Sequence, residues 1–222
     1  FMVFAGFILI FGLLIVLSLV QARKRREAWQ QAARKMKFQF LEADNAEDRF
    51  GLFKIFNLGR NRTSYNVLVG KNDSDEARMF DYSYRTGSGK NSHTYTQTLC
   101  IIKSSDLSLP HFFIRRENAI FDFLGKLFGG QDINFDEDPT FSKTFVLQGE
   151  SETAVRQLFD SRIRRLFLQF GSQNMQVEAR GDTILFNPGE LIDPVSAPSL
   201  IMKAINEGAL TGSINSPGLK RM

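Results

Sequence analysis

Cysteine occurs once, at Cys100, and histidine twice, at His93 and His111, in a chain of 222 residues. An intrachain disulfide is excluded, and so is a zinc site built on cysteines. Three such residues so far apart meet as metal ligands only by coincidence of folding, so surface or strand positions are expected for them. No HExxH helix, nucleophile elbow or triad-like set is present. Charge is missing altogether from residues 1–20, FMVFAGFILIFGLLIVLSLV, where Ser18 is the only hydroxyl.

What is there points elsewhere. Hydrophobic residues make up 43% of the chain and charged residues 23%, a composition that folds rather than staying disordered. Net charge is +4, but residues 1–37 carry seven Lys/Arg against one Glu, and the remainder 21 Lys/Arg against 23 Asp/Glu. The basic character belongs to a short N-terminal segment. The rest has no global signature of a nucleic-acid binder.

At 1.5 Å per residue, a helix over residues 1–20 spans ~30 Å, the thickness of a bilayer core. Fifteen of these residues are Leu, Ile, Val or Phe. Each favours insertion by roughly 0.3–0.6 kcal/mol near the centre. A signal peptide places its positive charge before a shorter apolar core. Here Arg23, Lys24, Arg25 and Arg26 follow it. A transmembrane helix over 1–21 is therefore expected, with its basic end and the following domain in the cytoplasm. The basic residues and Trp29 are assigned to the membrane surface, where anionic headgroups attract cations. The crossing holds no Asp, Glu, Lys, Arg or His, so it offers no proton relay and no imidazole for a cofactor.

Residues 84–96, YRTGSGKNSHTYT, resemble a phosphate-binding loop at first sight. The Walker A pattern needs a Gly five residues before Gly89 and a Ser or Thr after Lys90. Tyr84 and Asn91 stand there. The residues that follow are β-branched and aromatic, so no helix dipole meets a phosphate. The stretch is expected to be a hairpin turn whose glycines supply positive φ.

Residues 22–37 are expected to continue the membrane helix as a basic juxtamembrane segment, ahead of a soluble domain over 38–207 and a loose tail over 208–222. A strand starts near Lys37–Leu41, and 42–64 reads as irregular, with an apolar cluster. Strands are expected at Ser64–Lys71, Ala77–Tyr84, His93–Lys103, 111–116, Phe141–Gln148, Met175–Arg180 and Thr183–Asn187. Met79, Asp81 and Ser83 alternate with Phe80, Tyr82 and Tyr84. Helices are expected at Glu117–Phe128, from a Ser151 N-cap to Phe170, and at Pro198–Asn206. Strands in hairpins with few crossovers predict an α+β fold, a mostly antiparallel sheet packed with helices behind one transmembrane helix.

Asp132–Asp138 places oxygens at the first positions of a calcium loop, but Glu137 replaces the loop glycine and Lys143 the bidentate glutamate. A solvated acidic turn is the better reading. Arg162, Arg164 and Arg165, with Arg115 and Arg116, could form a basic edge toward headgroups or an acidic partner, although a solvated face is the plainer expectation.

The pieces Phe80–Tyr84, Gly89–Asn91, Leu109–Arg115 and Asp138–Phe145 resemble a broad family of uncharacterised bacterial membrane-anchored proteins. These have an FDYxY strand, a Gly/Lys turn and a DPxFxxxF segment. The likeness implies bacterial origin and a cytoplasmic domain on a membrane stalk in the inner membrane. It supplies no catalytic residues and no cofactor. Together these features predict a non-enzymatic single-pass protein, an accessory or scaffolding subunit that meets membrane lipid and other membrane-protein subunits. A lipid-sensing module is the second expectation, and a tethered enzyme the third.

Overall fold

The computed structural model describes residues 2–117, 132–169 and 174–196, with side chains from residue 10 onward. Helix α1 (Met2–Met36) is one uninterrupted rod. It stops where Lys37 adopts φ 58°. Phe38 N–H then donates to Ala33 O (2.9 Å) and Lys37 N–H to Arg34 O (3.3 Å), the paired bonds of a Schellman C-cap. Among the described residues no helix is long and apolar enough to cross a membrane.

Eight strands follow in one sheet: β1 (Gln39–Asp44), β2 (Arg60–Lys71), β3 (Asp75–Thr86), β4 (His93–Ser104), β5 (Leu109–Arg116), β6 (Phe145–Gly149), β7 (Gln176–Gly181) and β8 (Thr183–Asn187). Their order is β1-β2-β3-β4-β8-β7-β5-β6, and every pairing is antiparallel. The fold is α+β, as predicted.

The alternation of β3 and β4 divides the core into two faces. Leu68, Met79, Cys100, Ile102 and Phe112 lie on one, beneath Trp29, Ala32 and Ala33 of α1. On the same face lie the short helices α3 (Pro139–Thr144), α4 (Glu152–Leu158) and α5 (Ser161–Gln169). Val67, Phe80, Tyr82, Leu99 and Ile101 face the other way, under Ala46 of α2 (Ala46–Phe50) and Phe53, Ile55 and Phe56. Phe56 meets Tyr82 edge-on at 5.1 Å between ring centres.

Three expectations need correction. Residues 42–64 are not irregular: they hold the end of β1, α2, a 3₁₀ turn at Lys54–Asn57 and the start of β2. The strand placed at Phe141–Gln148 begins only at Phe145, because Asp138 caps a helix by accepting from Phe141 N–H (3.1 Å), with Pro139 in its first turn. The single helix after Ser151 is two. Ser151 caps α4 as expected, but Asp160 Oδ1 accepts from Arg162 N–H (2.9 Å) and Ile163 N–H (2.8 Å) and starts α5 afresh. The helices expected at Glu117–Phe128 and Pro198–Asn206, and the tail, lie outside the described residues apart from Glu117.

Candidate functional site

Arg25, Trp29, Ala32, Ala33 and Met36 recur at helical spacing and put one stripe of α1 against the sheet. The two alanines let the helix approach closely, and Trp29 is buried completely. Beneath that stripe, β3 places Asp81 among residues that alternate with its aromatic face. A carboxylate with no exposed surface requires partners, and it has four of them.

Arg25 forms a two-pronged ion pair with Asp81, Nε to Oδ2 at 2.8 Å and Nη2 to Oδ1 at 2.6 Å. Trp29 Nε1 donates to Oδ2 (3.1 Å), Asn66 Nδ2 to Oδ2 (3.0 Å) and Thr98 Oγ1 to Oδ1 (3.0 Å). Asn66 reaches it because β2 breaks register between Tyr65 and Leu68 and Asn66 turns to φ 53°, a bulge that re-aims the side chain. Arg25 Nη1 continues to Ile192 O (2.9 Å), and Ile192 N–H returns to Thr98 Oγ1 (3.1 Å). Tyr65 alongside has its phenol pushed up by burial and by the charge of Asp81, with Arg25 acting against both. The arrangement joins α1, β2, β3, β4 and the 190–192 segment. Its hydrogen bonds are mutually satisfied, so it is suited to fixing geometry rather than to moving protons.

A second polar cluster sits on the opposite face. His111 Nδ1 lies 2.8 Å from Glu150 Oε1 and Nε2 lies 3.1 Å from Glu178 Oε1. Glu178 Oε2 accepts from Lys54 N–H (3.0 Å). The hydrogen bond to Glu178 raises the imidazole above its ordinary value, burial opposes this, and Glu150 adds to the rise. Burial lowers the Lys54 ammonium to about 8, offset in part by Glu178. The adjoining cavity, lined by Lys54, Phe113, Gln176, Glu178, Leu185 and Asn187, measures about 10 Å³, room for one water and no substrate. Cys100 is buried, which pushes its thiol up to about 12 and leaves it unreactive.

The residues expected at the membrane surface divide. Arg23, Lys24 and Arg26 are exposed, Arg23 pairing with Glu27 and Arg26 with Glu42. Arg25 and Trp29 turn inward to Asp81, which corrects their assignment to the surface. The second arginine set does not form one edge either. Arg162 and Arg165 are exposed and Arg116 half-buried. Arg115 is buried and donates to Arg116 O (3.0 Å). Arg164 is buried and bonded to Asp138 (3.0 Å) and Phe159 O (2.9 Å), its guanidinium 4.3 Å from the Phe135 ring centre. In the acidic stretch, Asp138 is that cap and Asp132 accepts from Gln148. Among the described residues no group of three or more His, Cys, Asp or Glu is placed to hold a metal. The glycine-rich stretch is a hairpin turn, with Gly87 at φ 69° and its missing Cβ 2.2 Å from Asn91 O.

Sequence reasoning missed Asp81, Asn66 and Thr98. The available signal was Asp81 itself, a charge on the inward side of a strand with both faces covered.

No family model matches the sequence, and no curated protein matches it. The fold is similar to the crystal structure of the mycobacterial trehalose monomycolate transport factor A, with TM-score 0.53 and 11% identity over 86% of this chain and 93% of that one. At that identity the likeness speaks for the architecture alone.

Proposed function

We propose that this chain is a non-enzymatic single-pass membrane protein of the bacterial inner membrane, an accessory or scaffolding subunit whose cytoplasmic domain holds another membrane-associated protein. One observation carries the reading. The helix that begins in the apolar run continues without a break into the domain and is fixed there by Arg25 and Trp29 on Asp81. Such a joint serves positioning. The clusters described above offer neither a substrate cavity nor an unshared acid or base, which favours a binding role over catalysis. A shared architecture with a transport factor is compatible with an accessory place in membrane transport.

Carbonate washing of native membranes tests the crossing: the full chain is expected to stay in the pellet, and its release defeats the reading. Mild-detergent purification should carry along at least one further membrane protein in fixed proportion. Recovery of the chain alone counts against the subunit role.

A further inference from the structure

The level of the sheet relative to the anchor follows from two contacts. Trp29 bonds Asp81 on β3. Phe38, nine residues on, has its ring within 2.3 Å of where a Cβ on Gly70 would stand, and Gly70 pairs with Ala77, four residues from Asp81 along β3. Seven helical residues to Met36 rise ~10 Å, the cap carries the chain on to Phe38, and four strand residues span ~13 Å, so α1 runs alongside the strands. The same step taken the other way leads from Trp29 to Val20, where the apolar run ends, and from Asp81 to Arg85. The β3–β4 hairpin tip beyond Arg85 therefore lies level with the end of the apolar run. The interfacial layer there is several ångströms deep.

The strand ends and turn at this rim, 57–63 and 82–97, carry one sign of charge. Arg60 pairs in register with Arg85 across β2 and β3, and Arg60, Arg85 and Lys90 are exposed. Neither 57–63 nor 82–97 contains an Asp or Glu. Arg23, Lys24 and Arg26 stand on α1 between that level and Asp81. Arg23 and Arg26 are paired with Glu27 and Glu42, and the carboxylates of Glu190 and Asp193 lie on the segment bound to Arg25, so the unopposed cations are those of the hairpin rim.

We propose that this rim, the β3–β4 hairpin tip with Arg60, Arg85 and Lys90, rests on the headgroup phosphates of an anionic leaflet. The proposal rests on the reading that residues 1–20 cross the bilayer. It gives the glycine-rich turn a ligand after all: not a nucleotide in a cradle but a phosphate surface met by exposed cations, with the membrane helix setting the distance.

Site-directed fluorescence on the full chain in nanodiscs tests it. Probes are placed by Ser88→Cys at the tip, Asp73→Cys at the far end of the same strands, and Phe11→Cys in the apolar run, with buried Cys100 as the only native thiol. In discs of phosphatidylglycerol with headgroup spin labels, the Ser88 probe should be quenched several-fold more than the Asp73 probe. Arg60→Gln with Arg85→Gln and Lys90→Gln should abolish at least half of that difference. Equal quenching at Ser88 and Asp73, with the Phe11 probe quenched by acyl-chain labels, overturns the proposal while the crossing stands, and leaves the rim to an acidic protein. Strong quenching at Ser88 that survives the triple substitution overturns the phosphate contact. An unquenched Phe11 probe removes the crossing and the proposal with it.

Discussion

Two buried arginine–aspartate pairs fasten helices to the body of this protein, and they are built in opposite senses. At α1, Asp81 has no exposure and the Arg25 side chain keeps 22%. In the helical layer, Arg164 is the buried member at 8% and Asp138 keeps 20%. The first pair joins residues 56 apart in sequence, the second residues 26 apart. The member of a pair that has no water to fall back on decides which deletion costs more. At α1 that member is the acid, so the arginine is indispensable. In the helical layer Arg164 keeps Phe159 O, Glu137 at 3.3 Å and the face of Phe135 when Asp138 is altered.

The comparison breaks if the two joints respond alike. Arg25→Gln should cost ~3–5 kcal/mol, because it strands a fully buried carboxylate. Asp138→Asn should cost about 1–2 kcal/mol, since asparagine still caps α3 and Arg164 keeps its other partners. Urea denaturation of the detergent-solubilised full chain measures both, and equal losses refute the distinction. Asp81→Asn should fall between them, because Arg25 can turn its exposed edge to water. Trp29→Phe sharpens the picture by removing one donor from Asp81 and little volume, for a loss of roughly 1–3 kcal/mol.

The smallest effect belongs to a third contact, His111 between Glu178 and Glu150. Its folded-state pKa is raised, so its contribution is fully present below the ordinary imidazole value of about 6.5 and lost as pH rises through the folded value. Melting temperature should therefore decline above pH ~6.5, and His111→Gln should flatten that slope. Lys54 works the other way. Its lowered pKa of about 8 penalises folding below that value and relieves it above, so the scan belongs below pH 8. A slope unchanged in the variant would assign the decline to other groups.

Much of the architecture was legible because β3 and β4 are covered on both faces and still alternate in size and chemistry. Met79, Asp81 and Ser83 separate from Phe80, Tyr82 and Tyr84 in the sequence as they do in space. The insertion of β8 beside β4 was not legible, since no local pattern encodes a partner 80 or more residues away. The helix at Pro139–Thr144 was legible and missed: Asp138 followed by Pro139 is a cap and a first-turn proline, which the spaced phenylalanines disguised as a strand. At the site, the helical spacing of Arg25, Trp29, Ala32 and Ala33 was present in the sequence but was not read as a buried stripe. The position of Arg25 in a run of four cations suggested the lipid surface instead, and only the inward-facing charge of Asp81 on β3 could have corrected that.

The continuity of α1 from its first turns to the cap at Lys37 has a mechanical corollary. With no swivel between rod and sheet, and a guanidinium clamp at the junction, torque or piston travel applied to the outer end of the rod is delivered to the eight strands as rigid-body movement. The azimuth of the sheet is locked to the rod, so whatever fixes α1 in rotation also fixes which way the sheet faces.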